Sequence, residues 1–241
     1  MADRCAPIDH FIAVSHWYAG HIAPRLGLSP TRVSVVYPGI DVTSRRVSPP
    51  PSVPTIGYFS RLSEKLGLNL LVEAFLALRG QPGLEDLRLV IAGGMTGDDE
   101  ANMVHVRARL AEAEKAGAAT ITEAFAPELV AEVMSRVTVL SVPIPEGEAF
   151  GLFAAEAMSY GVPVVLPTSG AFPEILALTG GGLSCEPGSV SSLAEALARI
   201  LRDPALRSRL SQAGRTGIET HFDLHANMTP ALVACYTSAT P

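Results

Sequence analysis

Apolar residues fall in short, unbroken runs along the chain, and longer segments with helical periodicity separate these runs. An unbroken apolar run is typical of a strand buried on both faces of a parallel sheet, because a strand with one solvated face alternates apolar and polar residues. The runs predict strands over residues 8–14, 33–37, 55–59, 87–92, 119–121, 138–142 and 162–166.

The segments between these strands predict helices over residues 17–26, 68–78, 98–116, 127–136 and 152–160. This alternation indicates an α/β fold, a doubly wound, Rossmann-like parallel sheet with helices on both faces. From residue 189 to residue 222 the pattern is helical, and Asp203-Pro204 marks the start of a new helix. We therefore expect a helical C-terminal tail after the sheet.

Four prolines fall within residues 44–54, a segment without apolar periodicity. Proline lacks the backbone N–H that helices and central strands need, so this segment is predicted to be a linker. Residues 1–43 contain only about one βαβ unit and are expected to be the remnant of an N-terminal domain whose main part is absent. Residues 55–222 contain a full doubly wound domain, and residues 223–241 are expected to form a helical C-terminal tail.

The charge of the chain argues against a nucleic-acid-binding protein. There are 18 Lys and Arg against 24 Asp and Glu, whereas binding to a phosphate backbone requires a surplus of cations. Cys5, Cys185 and Cys235 are far apart and form no CxxC pair, so we expect neither a disulfide framework nor a zinc site. We expect no secretory signal and no transmembrane segment, and hence a cytoplasmic protein, because no apolar run approaches roughly 20 residues.

Ligands of open parallel sheets bind outside the carboxyl ends of the strands, where loops enter helices. The loop over residues 57–67 carries Arg61 and Lys65 ahead of a predicted helix. Two cations beside unpaired backbone N–H groups favour an anion site that suits a phosphate or diphosphate. The alternative is two solvated surface cations.

A second loop and its helix, over residues 143–161, carry Glu148 and Glu156. A helical path would place these two carboxylates about 80° apart in rotation, so both could reach one cleft. The amides of Gly151 and Leu152 would face the same cleft and could bind a phosphate. The alternative makes Glu148 a helix cap and Glu156 an exposed helix acid.

Two further loops follow strands. Residues 93–97 are rich in glycine, and the acids that follow are expected to begin a helix and not to bind a metal, since no Asp-x-Asp pair follows a strand. Residues 168–174 are expected to be the start of a helix with Thr168 or Ser169 as its cap. No metal site and no cofactor are expected.

Several of these segments resemble a known family. Glu148 to Glu156, followed by residues 161–165, is similar to the E-x7-E signature of retaining GT-B glycosyltransferases, family four. Residues 60–67 resemble the diphosphate loop of that family, residues 36–41 resemble its interdomain turn, and residues 12–15 resemble the last strand of its N-terminal domain. The resemblance runs from about residue 8 to residue 222 and implies the C-terminal, donor-binding half of a GT-B fold, with most of the N-terminal domain missing.

The resemblance also implies roles. The donor would be a UDP- or GDP-sugar, and no metal would be needed. The diphosphate would be held by Arg61, Lys65, Gly151 and Leu152. Glu148 and Phe150 would contact the sugar, Glu156 would contact the ribose, and the two glutamates would be the catalytic residues.

Three functions remain open at this point. The first is a truncated retaining glycosyltransferase, whose acceptor would be a sugar or glycoside. The second is a glycoside hydrolase that uses Glu148 and Glu156 as its carboxylate pair on a shortened scaffold. The third is a non-catalytic nucleotide-sugar binding module. A homo-oligomer, or a partner that supplies the missing domain, is a possible assembly.

Overall fold

The computed structural model describes residues 7–124 and 126–238, so Cys5 and the outermost residues of both predicted end segments lie outside the described residues. The first described elements are strand β1 (Phe11–Ala13), helix α1 (His16–Leu26) and strand β2 (Val33–Val35). Strands β1 and β2 pair in parallel, with Phe11 opposite Val33. Gly27, in the left-handed region at φ 65°, ends α1. These elements form a single βαβ unit.

The main sheet has six parallel strands in the order β5-β4-β3-β6-β7-β8. The strands are β3 (Thr55–Phe59), β4 (Arg88–Ala92), β5 (Ala119–Thr122), β6 (Val139–Leu140), β7 (Val164–Pro167) and β8 (Gly182–Cys185). Every residue of β3, β6 and β7 is buried, which explains their unbroken apolar pattern. The predicted α/β, Rossmann-like parallel sheet is confirmed.

Helices connect and flank these strands. They are α2 (Leu68–Arg79), α3 (Glu100–Lys115), α4 (Pro127–Arg136), α5 (Leu152–Ser159), α6 (Phe172–Thr179), α7 (Val190–Arg202), α8 (Pro204–His221) and α9 (Thr229–Ser238). Helix α2 packs against α3 and α7, while α8 packs against α5 and α6. Asp203 caps α8 through the amides of Ala205 and Leu206, so a new helix starts at Pro204 as predicted.

Two sequence expectations need correction. Strand β8 was not predicted, because its sequence, Gly-Leu-Ser-Cys, has no β-branched residue and follows two further glycines. Helix α6 begins after Ala171, and no side chain caps it, so neither Thr168 nor Ser169 is its cap. The hydroxyl of Ser169 instead donates to the carbonyl of Ile144 at 3.3 Å.

The C-terminal tail returns to the segment that precedes the linker. The amide of Ile40 donates to the carbonyl of Phe222 at 2.7 Å, and the amide of Leu224 donates to the carbonyl of Ile40 at 3.0 Å. Residues 224–228 form one wide helical turn that leads into α9. In the part of the chain that the structure describes, we find no helix with the length and apolar character needed to cross a bilayer.

Candidate active site

The four candidate loops lie side by side at the carboxyl edge of the main sheet. A Cβ atom on Gly93 would lie 1.7 Å from the carbonyl oxygen of Ser60, and one on Gly67 would lie 2.2 Å from that of Pro143. Only glycine permits such close approach of two backbones. The loop after β3 therefore touches both the loop after β4 and the loop after β6.

The loop that carries Glu148 also touches the loop after β7. The carbonyl of Glu148 accepts a hydrogen bond from the amide of Ala171 at 2.9 Å. A Cβ atom on Gly147 would lie 2.3 Å from the amide nitrogen of Gly170, and both glycines have positive φ. These contacts hold the backbone of Glu148 against the start of α6.

Glu148 and Glu156 line the same cavity, whose volume is about 230 Å³. Glu148 lies in the loop before α5, and Glu156 lies in the second turn of that helix. The cavity is lined by Phe59, Ser60, Glu148, Gly151, Leu152, Phe153 and Glu156. The structure therefore brings together the two carboxylates and the two residues, Gly151 and Leu152, that were predicted to present amides.

The N-terminus of α5 opens on this cavity. Gly151 is the N-cap, with φ 95°, and no side chain caps the helix. The capping role considered for Glu148 is therefore wrong. The first amides of a helix have no partner within the helix, and the helix dipole makes this end favourable for an anion. The cavity thus combines two carboxylates with a site suited to negative charge.

Glu156 is not an exposed helix acid, because only 18% of its side chain is accessible. Its Oε1 lies 3.6 Å from Nη2 of Arg45, a residue of the predicted linker. Burial raises the pKa of Glu156 above its usual value, and the nearby Arg45 guanidinium opposes that rise only in part.

Arg61 lies beside the carboxylate cavity. It lines a neighbouring cavity of about 380 Å³ with Gly94, Met95 and Thr96, and Ser60 lines both cavities. Arg61 is 48% exposed. Lys65 is also exposed, within the short 3₁₀ turn Glu64–Leu66, and is not among the residues that line either cavity.

Asp99 forms an ion pair with the Arg61 side chain. Its Oδ2 lies 3.8 Å from Nε of Arg61 and accepts hydrogen bonds from the amide and hydroxyl of Thr96. Burial alone would raise the pKa of Asp99, but the hydrogen bonds from Thr96 and Ser63 and the charge of Arg61 outweigh it, so the pKa lies below its usual value. Asp99 is therefore an ionised partner for Arg61 at neutral pH.

Phe150 lies outside the cavity lining. Its ring is buried against Tyr37 and Phe222, with centroids 6.2 and 5.5 Å apart. Only the backbone of Phe150 therefore remains available for the sugar contact expected of this residue. Among residues 7–124 and 126–238, no group of three or more His, Cys, Asp or Glu side chains could hold a metal ion.

Comparison with known protein families identifies the family of this chain. The family model described as glycosyl transferases group 1 matches residues 41–217, well over half of the chain. The chain belongs to the group 1 glycosyltransferases.

The curated relatives of this group 1 chain are longer than it is. The D-inositol 3-phosphate glycosyltransferase of Acidothermus cellulolyticus is 28% identical, over 99% of this chain and 55% of its own length. HepE of Anabaena, solved in complex with UDP and glucose, is 18% identical with a TM-score of 0.83, over 95% of this chain and 63% of that one. The C-terminal domain of LpcC from Francisella tularensis is 22% identical with a TM-score of 0.67, over 78% of this chain and 100% of that one. The chain spans about half the length of the curated relatives it matches.

Two sets of contacts beside the site of this group 1 chain were not predicted from its sequence, and both involve its first βαβ unit. The hydroxyl of Ser15 donates to the carbonyl of Ala149, next to Glu148, at 2.6 Å. The carboxylate of Glu174 accepts hydrogen bonds from the amides of His16 and Trp17, at 3.0 Å each, and from the hydroxyl of Tyr37. These residues lie far apart in the sequence, so no local pattern indicates their pairing.

Proposed function

We propose that this chain binds a UDP- or GDP-sugar in the cavity between Glu148 and Glu156, and that it serves transfer of the sugar with retention of configuration and without a metal ion. The observation that carries this proposal is the shared cavity, in which two carboxylates flank the N-terminus of α5. Carboxylates beside an anion site are costly unless hydroxyl groups donate to them, and a nucleotide sugar supplies such hydroxyl groups next to a diphosphate.

The diphosphate is assigned to the N-terminus of α5 and to Arg61. The amides that follow Gly151 would donate to phosphate oxygens, and Arg61 would reach them from the adjoining cavity. Lys65 lies on the exposed turn after Arg61 and is also assigned to the diphosphate, because its long, flexible side chain could reach it. These positive groups would stabilise the charge that develops on the leaving diphosphate, as a metal ion does in other enzymes.

The two glutamates are assigned to the two sugars of the ligand. Glu148, in the loop before α5, would accept hydrogen bonds from hydroxyl groups of the transferred sugar, and the backbone of Phe150 would lie beside that sugar. Glu156, in the second turn of the helix and largely buried, would accept hydrogen bonds from the ribose hydroxyl groups. Each contact is a hydrogen bond to a charged acceptor, which contributes about 1.5–3 kcal/mol.

The acceptor side of the reaction concerns a larger assembly. We propose that residues 55–222 are the nucleotide-sugar-binding unit, that residues 44–54 are a linker, and that the βαβ unit before it corresponds to part of a second domain. The contacts of Ser15 and Glu174 support this arrangement, because they seat that unit directly against the loop of Glu148 and the start of α6. Transfer to a sugar or glycoside would then need that domain, in a longer chain or in a partner.

Calorimetric titration tests the proposal with UDP, GDP and their glucose and mannose derivatives. We expect wild-type protein to bind one nucleotide family. Glu148→Gln should weaken binding of the nucleotide sugar more than binding of the free nucleotide, and Glu156→Gln should weaken both by about 10- to 100-fold. Glu146→Gln is the matched control, since Glu146 is exposed two residues before Glu148. No binding of any nucleotide by the wild-type protein would contradict the proposal.

Two assays separate the other functions. Turnover of nitrophenyl glycosides that is lost in both Glu148→Gln and Glu156→Gln would indicate a glycoside hydrolase. Tight nucleotide binding without any transfer, even when the isolated N-terminal domain of a relative is supplied, would indicate a binding module. Retention is checked by the anomeric configuration of the transfer product in an NMR spectrum.

A further inference from the structure

Arg45 is a linker residue that lies against helix α5. Its guanidinium is 3.6 Å from the carboxylate of Glu156, donates to the hydroxyl of Ser159 at 3.1 Å, and lies 5.3 Å from the centre of the Tyr160 ring. Only 17% of the Arg45 side chain is exposed. A long, flexible side chain is buried in this way only when its contacts offset the lost entropy and hydration.

The backbone of the linker is itself held in place at this point. Arg215, on α8, donates to the carbonyl of Arg45 at 3.1 Å, to the carbonyl of Val42 at 3.2 Å and to the carbonyl of Ser159. Its Nε also pairs with Glu219 at 2.6 Å. One guanidinium therefore ties the linker to the end of α5, and the position of Arg45 beside Glu156 does not depend on the side chain of Arg45 alone.

The charged groups around Glu156 come from three elements. Arg45 faces it from the linker, Glu148 lies on the same cavity from the loop before α5, and Arg215 approaches the end of α5 from α8. Arg45 is the cation that opposes burial of the Glu156 carboxylate. A buried carboxyl group that loses its cation takes up a proton at higher pH, because the charged form is poorly solvated.

We propose that Arg45 is a positioning residue for nucleotide binding: its guanidinium pairs with the Glu156 carboxylate at the cavity and favours the charged form, so that this carboxylate accepts hydrogen bonds from the ribose hydroxyl groups. The inference rests on the proposed function of this cavity. It makes Arg45 a part of the binding machinery, although no residue of the linker lines the cavity.

The pH dependence of nucleotide affinity tests this role. Dissociation constants of UDP and GDP are measured between pH 6 and pH 9 for the wild type, Arg45→Met, Arg45→Lys and the control Arg46→Met, whose side chain is exposed next to Arg45 in the chain. In Arg45→Met we expect about tenfold weaker binding near pH 6 and recovery as the pH rises and Glu156 loses its proton. Arg45→Lys should restore most of the affinity, and Arg46→Met should follow the wild type.

A double-mutant cycle shows whether Arg45 acts through Glu156. We expect Arg45→Met to change nucleotide affinity much less in the Glu156→Gln background than in the wild type. Equal losses in both backgrounds, or a loss that is the same at every pH, would overturn the inference while leaving the proposed function in place. Failure of the wild-type protein to bind either nucleotide would overturn both.

Discussion

The hydroxyl of Ser15 donates a 2.6 Å hydrogen bond to the carbonyl oxygen of Ala149, 134 positions later in the chain. The same hydroxyl accepts a hydrogen bond from the amide of Tyr18 and so caps helix α1. Ser15 is fully buried. One small side chain therefore begins a helix in the first βαβ unit and holds the loop that carries Glu148.

Replacement of Ser15 by Ala should lower the free energy of unfolding by about 1–3 kcal/mol, because the helix loses its cap and the partly buried carbonyl of Ala149 loses its partner. Urea denaturation measures the change. Ser29→Ala is the matched control, since Ser29 precedes the 3₁₀ turn Pro30–Arg32 without a capping hydrogen bond and is exposed. Equal stability of the two variants would show that the Ser15 contacts contribute nothing.

Glu174 joins the first βαβ unit to α6, and its charge makes this junction sensitive to acid. Burial raises the pKa of Glu174, but hydrogen bonds from Tyr37 and from the amides of His16 and Trp17 outweigh burial, so the pKa lies below the usual 4.5. The carboxylate therefore stabilises the folded chain above pH 4.5, and this contribution is lost as the pH falls through the folded pKa.

Glu174→Gln should consequently reduce stability at pH 7 and matter less at pH 3.5, because below pH 4.5 the carboxylate of the unfolded chain takes up a proton and part of the stabilisation is lost. Urea denaturation at both pH values measures the two differences. The exposed Glu186 supplies the control, and Glu186→Gln should change stability little at either pH. A loss of stability in Glu174→Gln that is larger at pH 3.5 than at pH 7 would contradict this prediction.

Strands β3 and β8 differ in how clearly the local sequence indicates them. Strand β3 was predicted at its observed bounds because all five of its residues are buried and give an unbroken apolar signal. Strand β8 gave no such signal, because three of its four residues are not buried. It becomes a strand through pairing with β7, with Gly182 opposite Val164, and pairing of this kind is a property of the fold and not of the local sequence.

The same distinction applies to the site. Loops at the carboxyl ends of strands could be placed at one edge of the sheet from topology alone. Helical spacing within one of these loops and its helix paired Glu148 with Glu156. Arg45, by contrast, was treated only as part of a proline-rich linker. Its hydrogen bond to Ser159 spans 114 positions, and no spacing rule connects a linker with one face of a distant helix.

Gly67 tests whether the loop of Arg61 must touch the loop of Glu148. Its φ is 80°, and a Cβ atom would lie 2.2 Å from the carbonyl oxygen of Pro143. Gly83 has nearly the same φ, 81°, with nothing within 4 Å of such an atom. Both Ala variants incur about 1–2 kcal/mol for a left-handed alanine, and only Gly67→Ala adds a backbone clash.

Thermal unfolding of the two glycine variants should therefore differ, with Gly67→Ala the less stable by about 1–3 kcal/mol. Because the clash separates the two loops, Gly67→Ala should also weaken nucleotide binding, while Gly83→Ala should leave it as in the wild type. Identical unfolding temperatures for the two variants would show that the loops can part without cost.

Arg61 supplies the sharpest test of the phosphate assignment. Arg61→Ala should weaken binding of UDP or GDP by about 1.5–3 kcal/mol, the range for a charge-assisted hydrogen bond, because the diphosphate loses its guanidinium. Arg88→Ala is the control, since Arg88 is an exposed arginine at the first residue of β4, the opposite end of the strand from Gly94. Calorimetry at low and high salt should show the Arg61 effect shrinking as screening rises, because Arg61 is half exposed. Equal affinity of Arg61→Ala and Arg88→Ala for the nucleotide would remove Arg61 from the site and leave the N-terminus of α5 to hold the diphosphate.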